Sequence, residues 1–496
     1  MMQRLKPLIF LCLYLILIVL AVETILKSCK EIEKEAQEFP IMLDSSYYRD
    51  SNLQHIWSKF IYRAQAQPFN VISLTIFVLA IIHTFSSKLF TTLSNTLRAK
   101  EGSDTFLVEL LRFMGEVEVV FGFWVIPLIA LMSYFYGWAA SLYYLNSRSY
   151  AEPIFVVVVM IIASTHPILN LVERALKFMA KLGKESVTAW WWCLLSVGPI
   201  LGSFITEPGA MTVCALLLSK KCFSLKLSKK LSYTTLALLF VNVSVGGVLT
   251  CFAAPPVLMV SRVWEWNSLY MLTTFGYKAV IGIFLGNLFY YFFFRKELKS
   301  LDKQRLEMEA ENIGSTVLVP RWICLIHIFF LAWIVIHACF PVIVIGSFLL
   351  FLGFYQATAP YQSPLNLKTP ILVGFFLGGL VVHGGLQGWW ISPLIGGLNP
   401  EILLVISAVL TAFNDNAEIT YLSTLITNLS DEAKYAIIAG AVSGGGLTVI
   451  ANAPNPAGQA LLSPYFSNGV SPIKLFKYAL PPTVIVTLTF YLMRGL

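Results

Sequence analysis

Asn414, Asp415, Asn416 and Glu418 lie within five consecutive positions of an otherwise apolar stretch, and a glycine run, Ser443-Gly444-Gly445-Gly446, comes after them. Carboxylates, amide oxygens, threonine hydroxyls and unwound backbone carbonyls are hard oxygen donors, the set a sodium ion takes. A carboxyl in a low-dielectric cavity also has a raised pKa, so near neutral pH it holds either a proton or a cation. Competition for one such group is antiport in its simplest form. Asp415 leads this reading and Glu207, in Thr206-Glu207-Pro208, comes second, so a bound Na+ would rest on these two acids. Glu418 is three residues past Asp415 and shares its face where the helix is regular. It reads equally as a helix cap or as the partner of a nearby donor.

The surroundings decide how much such residues mean. With 57% hydrophobic and 12% charged residues over 496 positions and a mean hydropathy of +0.73, the chain is not a soluble globule but a polytopic helical membrane protein. Acids inside such a protein are expensive and mark an ion or proton path in a protein-lined cavity. Glycines and prolines that unwind helices there are tolerated only where the freed backbone faces protein or a cavity. The net charge of +8 does not point to nucleic acid, because the lysines and arginines sit in short loops between apolar runs, as the positive-inside rule expects. The eight cysteines are scattered without a C-x-x-C spacing, which leaves no disulfide framework, and no cofactor is implied. Neither Gly-Asp nor H-E-x-x-H occurs, so neither aspartyl nor metalloprotease chemistry within the membrane is supported, and the chain does not read as an enzyme.

Loop charge orders the segments. Residues 1–26 hold an apolar run, 7–26, read as an N-terminal transmembrane helix or signal anchor; residues 27–68, with six basic and six acidic side chains, form an external polar segment. Runs at 69–85, 116–138 and 153–171 come next, with Lys88, Arg98, Lys100 and Arg112 on the inside. Residues 174–184 carry four basic side chains and 220–230 carry five lysines without an acid, so both are expected in the cytoplasm. Between them, residues 187–218 are too long for one crossing and too short for two, which take about 20 residues each. A re-entrant hairpin fits, with its tip at 202–209 and Glu207 at mid-depth; one long helix kinked at Pro208 is the alternative. Runs at 231–260 and 268–294 lead to a cytoplasmic linker, 295–321. The second half reads 322–337, 340–355, 370–387, 391–429, 433–453 and 473–493.

The fold class expected is therefore all-α, with two transport repeats, 69–294 and 322–496, and one extra N-terminal helix. Each repeat has three helices, a hairpin and two helices, the first of these two broken, and the repeats start from opposite sides. Internal similarity points the same way. Ser244-Val245-Gly246-Gly247 and Ala254-Pro255 recur as Ser443-Gly444-Gly445-Gly446 and Ala453-Pro454 at an offset of 199. At an offset of 208, FITEPGAMTVCALLL from Phe204 lies over AFNDNAEITYLSTLI from Ala412, which sets Glu207 over Asp415 and Thr212 over Thr420.

The motifs GEVEVVFGFW at Gly115, GPILGSFITEPGAMTV at Gly198, LVVHGGLQGWW at Leu380, FNDNAEITYL at Phe413 and GGGLTVIANAPNPAG at Gly444 resemble a bacterial family of sodium/proton antiporters. That family is similar in turn to the ion transporter superfamily of NhaD-type antiporters, arsenite efflux pumps and dicarboxylate/sodium symporters. The resemblance implies a multi-pass protein of the bacterial inner membrane that works in the lipid bilayer on Na+ and H+, and it leaves open whether the protein forms a homodimer. It also implies that Thr206-Glu207-Pro208 and Asn414-Asp415-Asn416 are hairpin tips facing breaks at Gly246-Gly247 and Gly444-Gly445-Gly446, with Asn452 beside the second break. The Ser-Asn-Thr signatures of the dicarboxylate symporters are absent from both tips, which argues against a carboxylate substrate. An exporter of arsenite or another anion on the same scaffold is the alternative function.

Other polar groups fall within the apolar runs. Glu116 and Glu118 are expected in a solvated first helical turn favoured by the helix dipole, with Glu118 kept as a coupling candidate. Lys278, about ten residues inside 268–294, needs a carboxylate partner or a cavity; Asp415 or Glu207 would serve, which makes Lys278 a second coupling candidate. His383, before Gly384-Gly385, is the third, or simply satisfies backbone groups freed at a helix break. Trp190–Trp192 and Trp389-Trp390 read as interfacial belts.

Overall fold

A computed structural model describes residues 48–495 except 51–52, 54, 102–104, 309–318, 339, 366, 396, 427–428 and 467–468. The expected N-terminal helix, 1–26, and residues 27–47 of the polar segment lie outside the described residues. The described elements are all helices, as lipid demands of a chain whose backbone groups have no water to turn to. Four are long and apolar enough to cross a bilayer: Val187–Ile205, Lys229–Leu249, Ser268–Asp302 and Pro472–Leu492. Three sharply bent pairs bring the number up to seven: Ile56–Ala66 with Phe69–Thr84, Trp138–Asn146 with Ala151–Ala163, and Lys368–Gly384 with Gly388–Ile395.

The helix Lys229–Gly246 is the axis of the molecule, with every residue from Leu231 to Gly246 buried. A helix apolar on all sides has to be wrapped by other helices. It starts cleanly because Ser228 caps it, accepting from the Leu231 N–H at 3.2 Å. Two short helices, Val187–Leu195 and Val197–Ile205, run up to Thr206 and a third, Glu207–Lys221, leads away. The chain folds back on itself at Thr206. A Cβ on Gly202 would lie 3.1 Å from the Ala210 Cβ, and one on Gly198 would meet the Cys214 sulfur, so residues equally far from Thr206 on either side oppose each other. In the second half, Pro400–Phe413 leads to Asn414-Asp415, Asn416–Thr424 leads away, and Asp431–Gly444 is the next helix.

In both halves the helix that ends at the turn lies, as one arm, against the helix that follows, backbone to backbone. The Leu195 carbonyl accepts from Asn242 Nδ2 at 2.6 Å, and the Pro199 carbonyl occupies the place of a side chain at Gly246. Ser203 donates to the Gly246 carbonyl at 2.6 Å, while its own carbonyl accepts from the Thr250 hydroxyl at 2.7 Å. In the second half the Leu404 and Ala408 carbonyls fill the side-chain positions of Gly440 and Gly444, and the Ala412 carbonyl accepts from the Thr448 hydroxyl at 2.8 Å. Positions on both elements rise together in both halves, so arm and helix run parallel.

Of the five tryptophans expected as a belt, three are buried. Trp190 and Trp191 are fully buried, and Trp191 donates its indole N–H to Thr235 Oγ1 at 3.0 Å; they are core groups because the short arm tucks beneath Lys229–Gly246. Trp389 is buried as well, and its carbonyl accepts from Arg63 Nη1 at 2.7 Å. Arg63 also meets Asp50 at 2.6 Å in a buried ion pair, and its bond to Trp389 fastens the polar segment to the helical body.

Filling the close contacts should be costly: Gly246→Val and Gly444→Val each put a side chain onto a carbonyl and are expected to destabilise by about 1–3 kcal/mol or more. Gly346→Val, where nothing lies within 4 Å, serves as the control. Melting temperatures of the purified proteins check this, and equal values for the three variants would contradict the packing described.

Candidate functional site

Two tips and two breaks meet at the centre. Thr206, the cap of the first tip helix, has φ 69 and ψ 155, a left-handed conformation that costs a β-branched residue energy and is kept at functional places. Glu207 is the first helical residue after it and is wholly buried. Its N–H reaches the Ala253 carbonyl at 3.4 Å. Its Oε2 accepts from Asn452 Nδ2 at 2.8 Å, a bond that ties the first tip to the second break. Its Oε1 faces Gly247, where a Cβ would lie 2.6 Å away, and has no hydrogen-bond partner among the described residues.

The second tip repeats the plan with different chemistry. Asp415 caps the helix Asn416–Thr424, its Oδ1 accepting from the Ala417 N–H at 2.8 Å. The Asn416 N–H donates to the Ala451 carbonyl at 3.1 Å, and Asn416 Nδ2 reaches Ser244 Oγ of the first broken helix at 3.3 Å. Gly445 stands opposite, where a Cβ would meet the Ser244 oxygen. Matching the contacts pairs Leu195 with Leu404, Pro199 with Ala408, Ser203 with Ala412 and Glu207 with Asn416, a shift of 209. The helices match Asn242 with Gly440, Gly246 with Gly444 and Thr250 with Thr448, a shift of 198. Each shift is one residue away from the alignment read from sequence. The two caps, Thr206 and Asp415, are therefore counterparts, and Glu207 matches an amide rather than the second acid, because helix starts rather than like charges set the register.

A cavity of about 230 Å³ reaches Asp415 and is lined by Asn414, Asn452, Glu118, Glu116 and Thr84 among others. Glu116, just ahead of the turn, keeps about a third of its side chain exposed and pairs with the two-thirds exposed Lys368 at 2.7 Å. Glu118 lies in a 3₁₀ turn, Val117–Val119, ahead of the helix Val120–Tyr136, and turns into the cavity. It is close enough to Asp415 for their charges to interact, as are Glu207 and Glu418. Glu418 is wholly buried beside the Asn414 side chain, yet neither of its oxygens makes a hydrogen bond of good geometry with a described group. Among the described residues, no three His, Cys, Asp or Glu side chains converge as a metal site.

Residues 68–493 match the model of the family described as "Putative Na+/H+ antiporter". The chain belongs to that family. A comparison with curated proteins returns no match. Membership in the Na+/H+ antiporter family places the chain among multi-pass membrane transporters rather than enzymes, which suits acids buried at helix ends.

In this member of the Na+/H+ antiporter family the remaining candidates sit apart from the cavity. Lys278 has no carboxylate within ion-pair distance among the described residues; its ammonium lies 4.7 Å above the Tyr435 ring and 3.4 Å from the Tyr435 hydroxyl. The pairing with Asp415 or Glu207 expected from sequence is thus replaced by a cation–π contact, because the π turn Leu272–Gly276 precedes the lysine and Tyr435 packs against Phe275. His383 is buried between Phe77 and Phe121, 3.2 Å from the Phe121 carbonyl. Ser203 and Ser244, not among the candidates the sequence offers, hold the breaks through short bonds. Both lie inside motifs already singled out, and a hydroxyl beside a broken helix was the signal available.

Access gives a direct check. In a cysteine-free background, Asn414→Cys, lining the cavity, should react with a membrane-impermeant maleimide applied from the Lys368 side. Thr420→Cys, one helical turn beyond Asn416 and fully buried, should not. Equal reactivity would show that the cavity does not lead to Asp415.

Proposed function

We propose that the protein exchanges Na+ for H+ across a bacterial inner membrane, with the hairpin-tip acids holding cation or proton in turn. The observation that carries this reading is that Asp415 ends a cavity while Glu207, bonded to Asn452 on the same wall, is sealed behind it. A cation entering past Glu116 and Lys368 meets the Asp415 carboxylate with the amides of Asn414 and Asn452. Asn452 gives its N–H to Glu207 and leaves its Oδ1 without a partner among the described residues, so one side chain links the two acids. Sodium there takes amide and backbone oxygens with one or two carboxylates, and a proton on the same carboxylate cancels the charge the cation needs. The helix start at Asn416 contributes its positive end, which favours the unprotonated acid once a cation leaves.

The same reading takes 69–294 and 322–496 as repeats of inverted topology joined by 295–321. It is supported by the parallel arm-and-helix contacts at constant shifts. Two further cavities support the sidedness: one of about 410 Å³ gathers Lys226, Lys229 and Lys474, and one of about 530 Å³ gathers Tyr270, Glu401, Asp431 and Arg494. Loop charge assigns the first group to the cytoplasm and the second to the outside. Among coupling candidates Glu118 ranks first, since it lines the path, and Lys278 and His383 would have to act through another conformation.

Everted vesicles with a pH-sensitive dye, challenged with Na+, Li+, K+ and arsenite, test the function. Asp415→Asn should abolish Na+-driven proton movement while the protein remains in the membrane, and Glu116→Gln should keep most of it. Near wild-type exchange by Asp415→Asn would move the site to Glu207, and flux driven by arsenite alone would favour the exporter. Shared use of one carboxyl fixes the pH dependence as well. Below the site's pKa a proton must leave before Na+ binds, so the apparent KM for Na+ should fall about tenfold per pH unit as pH rises. A KM independent of pH throughout that range would mean separate sites.

A further inference from the structure

The cavity of about 410 Å³ at the end of the molecule that holds the lysine-rich loop takes no part in the path to Asp415. Its lining includes Lys226, Lys229, Lys474, Tyr233, Tyr465 and Ser232, and no acidic residue. The lysines come from both halves of the chain. Lys226 lies in the loop before the buried helix Lys229–Gly246, Lys229 is the first residue of that helix, and Lys474 belongs to the first turn of Pro472–Leu492. None of the three forms an ion pair with a described residue. The acid that this loop does meet, Glu297, is spent on the backbone and hydroxyl of Ser228, outside this lining.

The walls are built rather than incidental. Tyr233 is buried, and its hydroxyl accepts the Ser471 N–H at 3.0 Å, which leaves its own hydrogen without a described acceptor. Its ring stacks on Tyr478, and Lys474 Nζ lies 5.8 Å above it. Tyr465 packs on Phe223, and its hydroxyl meets Ser219 at 2.8 Å. Lys226 sits at φ 55, a left-handed position where a glycine would be unstrained. Three lysines and two tyrosines lining one cavity, with no acid in the lining, suit a phosphate group.

The helix that carries Lys474 selects the source of that phosphate. Ile473, Phe476, Leu480, Val484, Leu488 and Leu492 are all exposed and fall three or four residues apart, so an apolar stripe of Pro472–Leu492, with the exposed Lys477 set into its first turns, begins beside the cavity and runs the length of the helix. An acyl chain laid on that stripe carries its headgroup into the three lysines. The geometry points to a site for one anionic phospholipid, its phosphate held by Lys226, Lys229 and Lys474 and its tail along Pro472–Leu492, clamping the two halves of the chain together at this end. Basic pockets between helices at the membrane surface bind lipid headgroups in this way.

The test uses the full-length protein, delipidated in a neutral detergent and titrated with phosphatidylglycerol, phosphatidylcholine or inorganic phosphate, with bound lipid counted by native mass spectrometry. Wild type should hold one phosphatidylglycerol tightly and not phosphatidylcholine. The triple variant Lys226→Gln, Lys229→Gln, Lys474→Gln should bind it about 100-fold more weakly. A control triple at Lys177, Lys181 and Lys299, basic residues outside this lining, should bind as wild type. Should the first triple fail to fold, Lys474→Gln alone is expected to weaken binding about fivefold. Equal binding by the site variant and wild type, equal loss in the control triple, or equal affinity for phosphatidylcholine would overturn the site. Inorganic phosphate that displaces phosphatidylglycerol at matching concentration would overturn the lipid assignment. None of these readouts uses transport, so they stand apart from the antiport reading.

Discussion

Everything at the centre depends on two backbones lying against each other without side chains between them. In a membrane, helices gain little from burying apolar surface, since lipid is as apolar as leucine, and close packing of small residues takes over. At Gly246 and Gly444 the carbonyls of Pro199 and Ala408 occupy the space a Cβ would need. That contact brings each arm so near its neighbour that Ser203 and Thr448 can bond across it. The carbonyls freed where the second helix breaks are taken up by Asn455, whose Nδ2 donates to Gly445 and Thr448 at 2.7 and 2.9 Å. With the arms and breaks fixed, the tip residues have little choice of place.

Charge is then distributed unevenly over a regular frame. Both tips donate a backbone N–H to the stretch after a break, and both face a glycine. The first tip puts its acid at the first helical residue, toward Asn452; the second puts its acid at the cap, toward the cavity. The two carboxyls are chemically alike and structurally different. One is enclosed and shares an amide, the other is reached from one end of the molecule, and the Asn452 side chain is the only described hydrogen-bonding link from Glu207 to the cavity wall.

Much of this was legible from the chain. A run too long for one crossing and too short for two, with Thr-Glu-Pro-Gly near its middle, marks where the chain turns back on itself, because a backbone that leaves a helix in lipid needs proline, glycine or a polar cap to do so. The glycine motifs marked the breaks for the same steric reason. The one-residue register was not legible, since two acids in similar context invite alignment on each other, whereas the helix starts that decide it depend on which N–H finds Ala253 or Ala451. Nor was the partner of Lys278. Sequence states that a buried ammonium requires a partner, but the partner here is an aromatic ring and hydroxyl 157 positions away rather than a carboxylate. Trp190 and Trp191 show the same limit, because a tryptophan beside a charged loop is written identically whether it faces lipid headgroups or lies beneath another helix.

The side-chain-free seams also decide where the molecule is stiff. Two backbones in contact cannot slide by a fraction of a helical turn without a carbonyl passing through a Cα, so each arm and its partner helix behave as one lever. Sharp departures from a straight helix lie outside these two seams. The 82° bend between Lys368–Gly384 and Gly388–Ile395 is one, and the π turn at Leu272–Gly276, with its wider and weaker hydrogen-bonding ring, is another. A displacement of either tip would therefore carry its arm and its broken helix together, while both of these irregular turns lie in elements that carry none of the tip acids.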